Sequence, residues 1–237
     1  NLIEVSDKPM EVRMGESNEN SGSFSIRMIN DALFYLQQKK IDVLVTAPIH
    51  KAYIKTNPPF TGHTEYLAQK ANVKDALMIM TSDSLRVALA TQHVPIQDVG
   101  SRLTVGSLLE TIKLFNKSLI YDFGCQRPKI AVLALNPHGG ENGKIGREEV
   151  DIIIPTIQKA ISENIIVQGP FSADSFFGGT KFSHFDGVLA MYHDQGLIPF
   201  KYIAGMSGVN FTANLPYIRT SPDHGVALDI VDKGTAD

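Results

Sequence analysis

The chain has 237 residues and a mass of 26.0 kDa, with 43% hydrophobic and 20% charged residues, a globular composition that excludes a disordered chain and fits one large or two small domains. The formal charge of −3 and the pI near 6.2 leave no basic excess to footprint nucleic acid or an anionic membrane. A single cysteine, Cys125, excludes an internal disulfide and any multi-cysteine metal site and reads as structural.

Taken in chain order, Ile26, Ile29, Leu33 and Leu36 fall at helical spacing and predict a helix over 23–40. A β-branched run closed by Pro48 predicts a strand over 41–46. A helix is expected over 64–71, then strands over 76–80 and 85–91. The turn material Thr81-Ser82-Asp83-Ser84 between those strands predicts a hairpin. Leu108, Ile112, Phe115 and Leu119 define one face of a helix over 104–119. The run KIAVLAL over 129–135 is the continuous apolar type that parallel sheets bury on both faces. A helix over 148–163, interrupted or delayed by Pro155, and strands over 165–168 and 186–192 follow. The stretch 207–230 reads as loop-rich with a helix near its end. Strands alternating with helices predict an α/β fold with a mostly parallel sheet. No internal repeat interrupts the pattern. The longest apolar runs fall far short of the roughly 20 residues of a spanning helix, and no signal-peptide pattern opens the chain. A cytoplasmic protein that does not engage membranes is expected. The start at Asn1 rather than Met and the polar end over 233–237 suggest a piece of something longer.

In such sheets, ligands bind beyond the carboxyl ends of the strands. Four histidines lie at strand exits or a helix start: His63, His93, His138 and His193. Imidazole suits zinc, cobalt, nickel and iron. His93, His138 and His193 are 45 and 55 residues apart, with no local metal motif, so a shared metal and three unrelated loop histidines account for the spacing equally well. Gly62-His63-Thr64-Glu65 enters a helix, where exposed backbone N–H groups favour anions; a plain threonine cap is the commoner explanation. The loop Pro137-His138-Gly139-Gly140 is glycine-rich enough for a backbone to approach a phosphate or dinucleotide, or is a flexible turn. Neither a dinucleotide Gly-x-Gly-x-x-Gly nor a P-loop occurs. Lys201, Asn210 and Arg219 offer donors for a phosphate or carboxylate. Asp174 and Asp194 could orient a ligand histidine or accept from a substrate amine, or serve as caps. His50, His184 and His224 are weaker candidates.

Seven segments in order carry a resemblance. They are Thr46-Ala47-Pro48-Ile49-His50-Lys51, Thr61-Gly62-His63-Thr64-Glu65, Arg86-Val87-Ala88-Leu89-Ala90-Thr91, Asn136-Pro137-His138-Gly139-Gly140, Met191-Tyr192-His193-Asp194-Gln195-Gly196, Gly208-Val209-Asn210-Phe211 and Arg219-Thr220-Ser221-Pro222-Asp223-His224-Gly225. Together they resemble the 4-hydroxythreonine-4-phosphate dehydrogenase family of vitamin B6 biosynthesis, over about 23–237. The resemblance implies a homodimer of two α/β/α domains around a cleft, similar to isocitrate and isopropylmalate dehydrogenases. The expected division is 1–60 plus 205–237 for the first domain, and 61–204 for the second, with the dimer interface. It implies His93, His138 and His193 as ligands of a zinc, magnesium or cobalt ion, one of them contributed across the interface. His63, Thr64, Lys201, Asn210 and Arg219 match substrate contacts. Gly139 and Gly140 are candidates for NAD or NADP, and Lys201 and Asp174 for the general base. The implied reaction oxidises 4-phosphooxy-L-threonine with NAD or NADP to a β-keto acid that decarboxylates to 3-amino-2-oxopropyl phosphate. A sister dehydrogenase acting on threonate or erythronate phosphate, an acyl-phosphate transferase and a non-catalytic metabolite-binding module are the competing readings. Family members are longer and carry an N-terminal glycine-rich segment, so the chain is expected to lack part of the first domain and a short C-terminal tail. His50 stands where asparagine is usual, and Phe200 with the stretch 202–207 is atypical; these bear on fine specificity and not on the ligand set.

Overall fold

A computed structural model describes residues 2–6, 11 and 13–235; the last two residues of the polar end lie outside it. In chain order the elements are α1 (Glu19–Gln37), β1 (Val43–Val45), α2 (His63–Lys70), β2 (Leu77–Thr81), β3 (Arg86–Leu89), α3 (Val99–Arg102), α4 (Val105–Tyr121), β4 (Lys129–Leu133), α5 (Ile154–Ser162), β5 (Ile166–Phe171), α6 (Ala173–Phe177), β6 (Gly187–Ala190), α7 (His193–Ala204), β7 (Val209–Ala213) and β8 (Ile218–Pro222). The chain divides into two compact units, Asn1–Ala76 with Leu215–Asp237, and Leu77–Asn214. These bounds replace the expected division at 60/61 and 204/205, for two reasons of packing. Tyr66 and Leu67 of α2 belong to the first unit's core, with Ile29, Leu33, Leu36 and Leu44. β7 pairs along its whole length with β2, from Leu77↔Ala213 to Thr81↔Val209.

In the first unit, α1 begins earlier than the apolar spacing predicts because Asn18 caps it. The Asn18 side chain accepts from the Ser21 amide at 3.0 Å, and the Ser21 hydroxyl lies 3.0 Å from the Asn18 amide. This reciprocal pair satisfies two of the orphan donors of a helix start. β1 runs parallel to β8, with Leu44 opposite Arg219.

The second unit holds a six-stranded sheet in the order β7-β2-β3-β6-β4-β5. β2–β3 is the expected antiparallel hairpin, and β3, β6, β4 and β5 are mutually parallel neighbours. The all-apolar strands are apolar because both faces are covered. Ile130 and Val132 of β4 pack with Leu108, Ile112, Phe115 and Leu119 of α4, whereas Ala131 and Leu133 face Phe176 of α6 and Leu197 and Phe200 of α7. Period-two alternation thus divides one apolar run between two cores. Each fully buried Phe or Leu here contributes about 1.5–3 kcal/mol.

The structure departs from the expected elements in two places. Over 207–230 the chain forms two strands, β7 and β8, and the helix expected near its end is only the short 3-10 turn Leu228–Ile230. Both strands are brief, and partners distant in sequence set their register. The helix α7, for which the sequence reading made no provision, contains Gly196 and Pro199, two helix breakers by propensity. Its buried residues, Gly196, Leu197 and Phe200, hold it on the sheet; a Cβ on Gly196 would come 2.8 Å from Val87 and 2.9 Å from Leu89. The delayed start expected at Pro155 is observed: the segment over 148–163 opens as a π turn, Glu149–Ile153, before α5. Among the described residues, no helix is long and apolar enough to cross a membrane.

Candidate active site

β3, β6 and β4 lie side by side and parallel, with Leu89 beside Ala190 and Val132 beside Leu189. Their carboxyl ends therefore share one edge of the sheet, and His93, His193 and His138 leave from those three ends. The His93 and His193 rings stand 6.1 Å apart between centroids, inclined at 37°. They border a hollow of about 390 Å³ that Val99 and Tyr192 also line. Two side-chain hydrogen bonds help tie the exits together: the Thr91 hydroxyl donates to the Met191 carbonyl at 2.7 Å, and the Gln195 side chain donates to the Ala134 carbonyl at 2.6 Å. His193 Nδ1 lies 2.7 Å from Asp194 Oδ1, a contact that orients the ring.

His138 is exposed and sits in an unusual turn after β4. Residues 138–142 all adopt left-handed backbone angles, including the non-glycines His138, Glu141 and Asn142. Each such residue costs roughly 1–2 kcal/mol, a strain that clusters at functional sites. Gly140 is buried here with φ 72°, and a Cβ on it would approach Glu149 Oε2 to 2.6 Å, so packing within the turn already requires its glycine. Among the described residues of one chain, no three His, Cys, Asp or Glu side chains gather into a metal-holding group. The structure brings His93 and His193 together and holds His138 on the neighbouring strand end. A pair of imidazoles with one ring already oriented fits a divalent ion that accepts nitrogen ligands.

Asp174 is exposed in the short α6, and Lys201 is exposed near the end of α7, roughly 12 Å along the axis from His193 at 1.5 Å per residue. Asn210 stands opposite Met80 in the sheet, and its Oδ1 is buried without a hydrogen-bond partner.

The first unit gathers a different group. Arg219 on β8 is 1% exposed and donates to the Thr46 hydroxyl at 2.7 Å. Thr64 is buried at the start of α2, and the adjacent His63 has its Nε2 buried without a partner. Burial, then the positive charges of Arg219 and Lys51, pull the His63 pKa down to about 4 against the opposing pull of Glu65. The ring is thus neutral at pH 7. Burial lowers Arg219 to about 10 and raises Tyr217 to about 12, the two partly offsetting each other. A buried guanidinium beside a neutral imidazole and a lysine offers the donors that an anionic group can take. Lys51 and Tyr217 are additions to the expected site residues. Tyr217 was detectable in principle, since a strand places it on the same face as Arg219 two residues on. Lys51 lies in the first of the seven family segments, but only the fold brings it to Gly62 and His63.

Comparison with known proteins decides the family. The sequence model described as "Pyridoxal phosphate biosynthetic protein PdxA" matches residues 1–237. The chain belongs to this family. Curated PdxA relatives are named 4-hydroxythreonine-4-phosphate dehydrogenase. That of Bacteroides thetaiotaomicron is 42% identical over 99% of the chain, which covers 65% of the relative; that of Sulfurihydrogenibium sp. is 41% identical over all of the chain and 72% of the relative. The chain thus spans about two thirds of their length. The crystal structure of the Klebsiella pneumoniae 4-hydroxythreonine-4-phosphate dehydrogenase superposes with a TM-score of 0.82 at 35% identity, over 95% of this chain and 68% of that one. A terephthalate 1,2-cis-dihydrodiol dehydrogenase from Burkholderia xenovorans gives 0.67 at 26% identity, over 99% and 75%. The PdxA match and these structures agree with the mixed α/β architecture and its mostly parallel sheet.

Proposed function

We propose that the protein performs the PdxA reaction, in which 4-phosphooxy-L-threonine is oxidised with NAD or NADP to 2-amino-3-oxo-4-phosphooxybutyrate, which decarboxylates to 3-amino-2-oxopropyl phosphate. The observation that carries this reading is the facing His93–His193 pair at the carboxyl edge of parallel strands, in a chain whose full length matches the family. His93 and His193 are assigned to a divalent ion, with His138 as third ligand and one of the three supplied by the other subunit of a cytoplasmic homodimer. Three imidazoles suit zinc or cobalt better than magnesium, which prefers oxygen. When bound, the ion supplies Lewis acidity at the substrate oxygen, and the nicotinamide accepts the hydride.

This chain's residues do the rest. Arg219, Lys51, Thr64 and the neutral His63 take the substrate's phosphate, whose binding energy orients the reacting carbon. Because His63 is uncharged, it contributes a directional hydrogen bond rather than a third positive charge. Asp194 holds the His193 ring. Asn210, through its unsatisfied buried oxygen, and Lys201 are assigned to the substrate as well. Proton removal is assigned to Lys201 or Asp174, both exposed to solvent. Gly139 and Gly140 remain candidates for the nucleotide.

The likeness to a dihydrodiol dehydrogenase favours a second reading, oxidation of a different anionic hydroxy compound such as threonate or erythronate phosphate. An absorbance assay of nicotinamide reduction separates them. The protein is given NAD or NADP with 4-phosphooxy-threonine or the alternative substrates, with and without a chelator. Turnover on 4-phosphooxy-threonine that the chelator abolishes supports the first reading. Turnover on another substrate alone supports the second, and no reduction with any of them rejects both.

A further inference from the structure

The left-handed run over 138–142 needs something to hold it, and the side chain placed to do so is Glu149. This carboxylate is 1% exposed, in the π turn that opens the helical segment before α5. Its Oε1 accepts from the amides of Leu135 and Asn136, both at 2.8 Å, and its Oε2 accepts from Asn136 Nδ2 at 2.9 Å. The same Asn136 nitrogen donates to Glu148 at 2.6 Å. All three bonds to Glu149 come from uncharged amides, and such charge-assisted bonds offset the cost of burying a carboxylate. The glycine at 140 lets the turn close directly over Oε2, and the Ile145 amide donates to the Gly140 carbonyl at 3.1 Å to complete it.

The other side of the same strand end is held by Gln195. Its Nε2 donates to Ala134 and its Oε1 accepts from the Met191 amide at 2.7 Å. Residues 134–136 are therefore fastened from two directions. Gln195 refers them to the start of α7, which bears His193, and Glu149 refers them to the turn that bears His138.

We propose that Glu149 is a positioning residue whose carboxylate, seated beneath the left-handed turn, sets where the His138 imidazole is presented. The role rests on His138 being a ligand, as read above, and reaches that ligand only through the backbone of 135–140. Replacement of an outer partner of this kind costs roughly 10–100-fold in metal affinity.

The test uses the whole chain and cobalt(II) as the probe. Glu149→Leu keeps the volume but leaves the Leu135 and Asn136 amides without an acceptor, whereas Glu149→Gln retains one acceptor oxygen. Cobalt affinity and the visible d–d band are measured together with amide exchange over 135–146 and thermal unfolding. The expected result is at least about tenfold weaker cobalt binding in Glu149→Leu, an altered band, faster exchange at 135 and 136, and substantial recovery in Glu149→Gln. Ile153→Ala removes buried packing from the same turn without touching the loop, and is expected to lower the melting temperature while leaving cobalt affinity unchanged. Wild-type cobalt affinity and band in Glu149→Leu, or a loss of affinity that Ile153→Ala reproduces at equal destabilisation, would overturn the assignment. His138→Ala is run beside them. Should it bind cobalt as the wild type does, the ligand reading falls on its own, and exchange at 135 and 136 then decides whether Glu149 sets the turn.

Discussion

The histidine edge of the second unit and the cationic group of the first reach function by opposite electrostatic routes. At the edge, His138 is exposed, and the His93 and His193 rings border an open hollow, so water solvates the imidazoles until a ligand displaces it. Around Arg219 the charge is already out of water, and burial has lowered the pKa of both the guanidinium and the neighbouring His63. An exposed ligand can be removed with little damage to the fold, whereas a buried charge belongs to the core and to the site at once. Substitutions in the two regions should therefore separate function from stability to different degrees.

The largest effect is expected at the edge. His138→Ala should lose bound metal and at least about a hundredfold in turnover, a loss on the scale of the charge stabilisation a metal supplies, while the melting temperature stays near wild type. Metal analysis, kinetics and calorimetry on one preparation check this; full metal content and turnover would remove His138 from the ligand set. In the first unit, Arg219→Ala should raise KM for the phosphorylated substrate roughly tenfold or more and leave KM for the nicotinamide alone. It should also cost about 1–3 kcal/mol of stability by leaving the buried Thr46 hydroxyl without its donor. Equal changes in both KM values would deny Arg219 a role at the substrate.

The pH dependence of stability sharpens the contrast. His63 binds its proton at about 4 in the folded chain and near 6.5 when unfolded. Above pH 6.5 neither state is protonated and the group has no effect. Between 6.5 and 4 the unfolded state takes up the proton first, so folding weakens as pH falls, by up to about 3 kcal/mol. Denaturant titrations of wild type and His63→Gln over this window should differ in slope; parallel curves would show that the ring is not held neutral by its surroundings. The smallest effect is at Gly196, where alanine would set a methyl against Val87, Leu89 and Ala190. Overpacking of this kind costs about 1–3 kcal/mol, and the displaced start of α7 should weaken metal binding at His193 as well. Unchanged stability and metal affinity would show that α7 can shift without consequence.

Much of the second unit could be read in advance because its signals are local. The β2–β3 hairpin follows from the turn residues 81–84, and α4 follows from Leu108, Ile112, Phe115 and Leu119 at helical spacing. The run at 129–135 announced a strand buried on both faces, and β4 occupies its first five residues. The failures were non-local. α7 was not foreseen, since Gly196 and Pro199 disfavour a helix by propensity and propensity is silent about the sheet that Gly196 abuts. β7 and β8 looked like loops because strands of five residues draw their register from partners more than a hundred residues away. The unit boundary after Ala76 depended on where Tyr66 and Leu67 found their core.

The candidate site divides along the same line. Residue order alone determined the seven family motifs, the α/β alternation and the placing of His93, His138 and His193 at strand ends, since periodicity and strand exits are properties of neighbouring residues. Tertiary structure alone decided that the exits belong to adjacent parallel strands, that Lys51, His63 and Tyr217 gather around the buried Arg219, and that Glu149 lies beneath the His138 turn. Those facts depend on burial and on pairing between distant segments, which set the local dielectric and hydrogen-bond partners and leave no periodic trace in the chain.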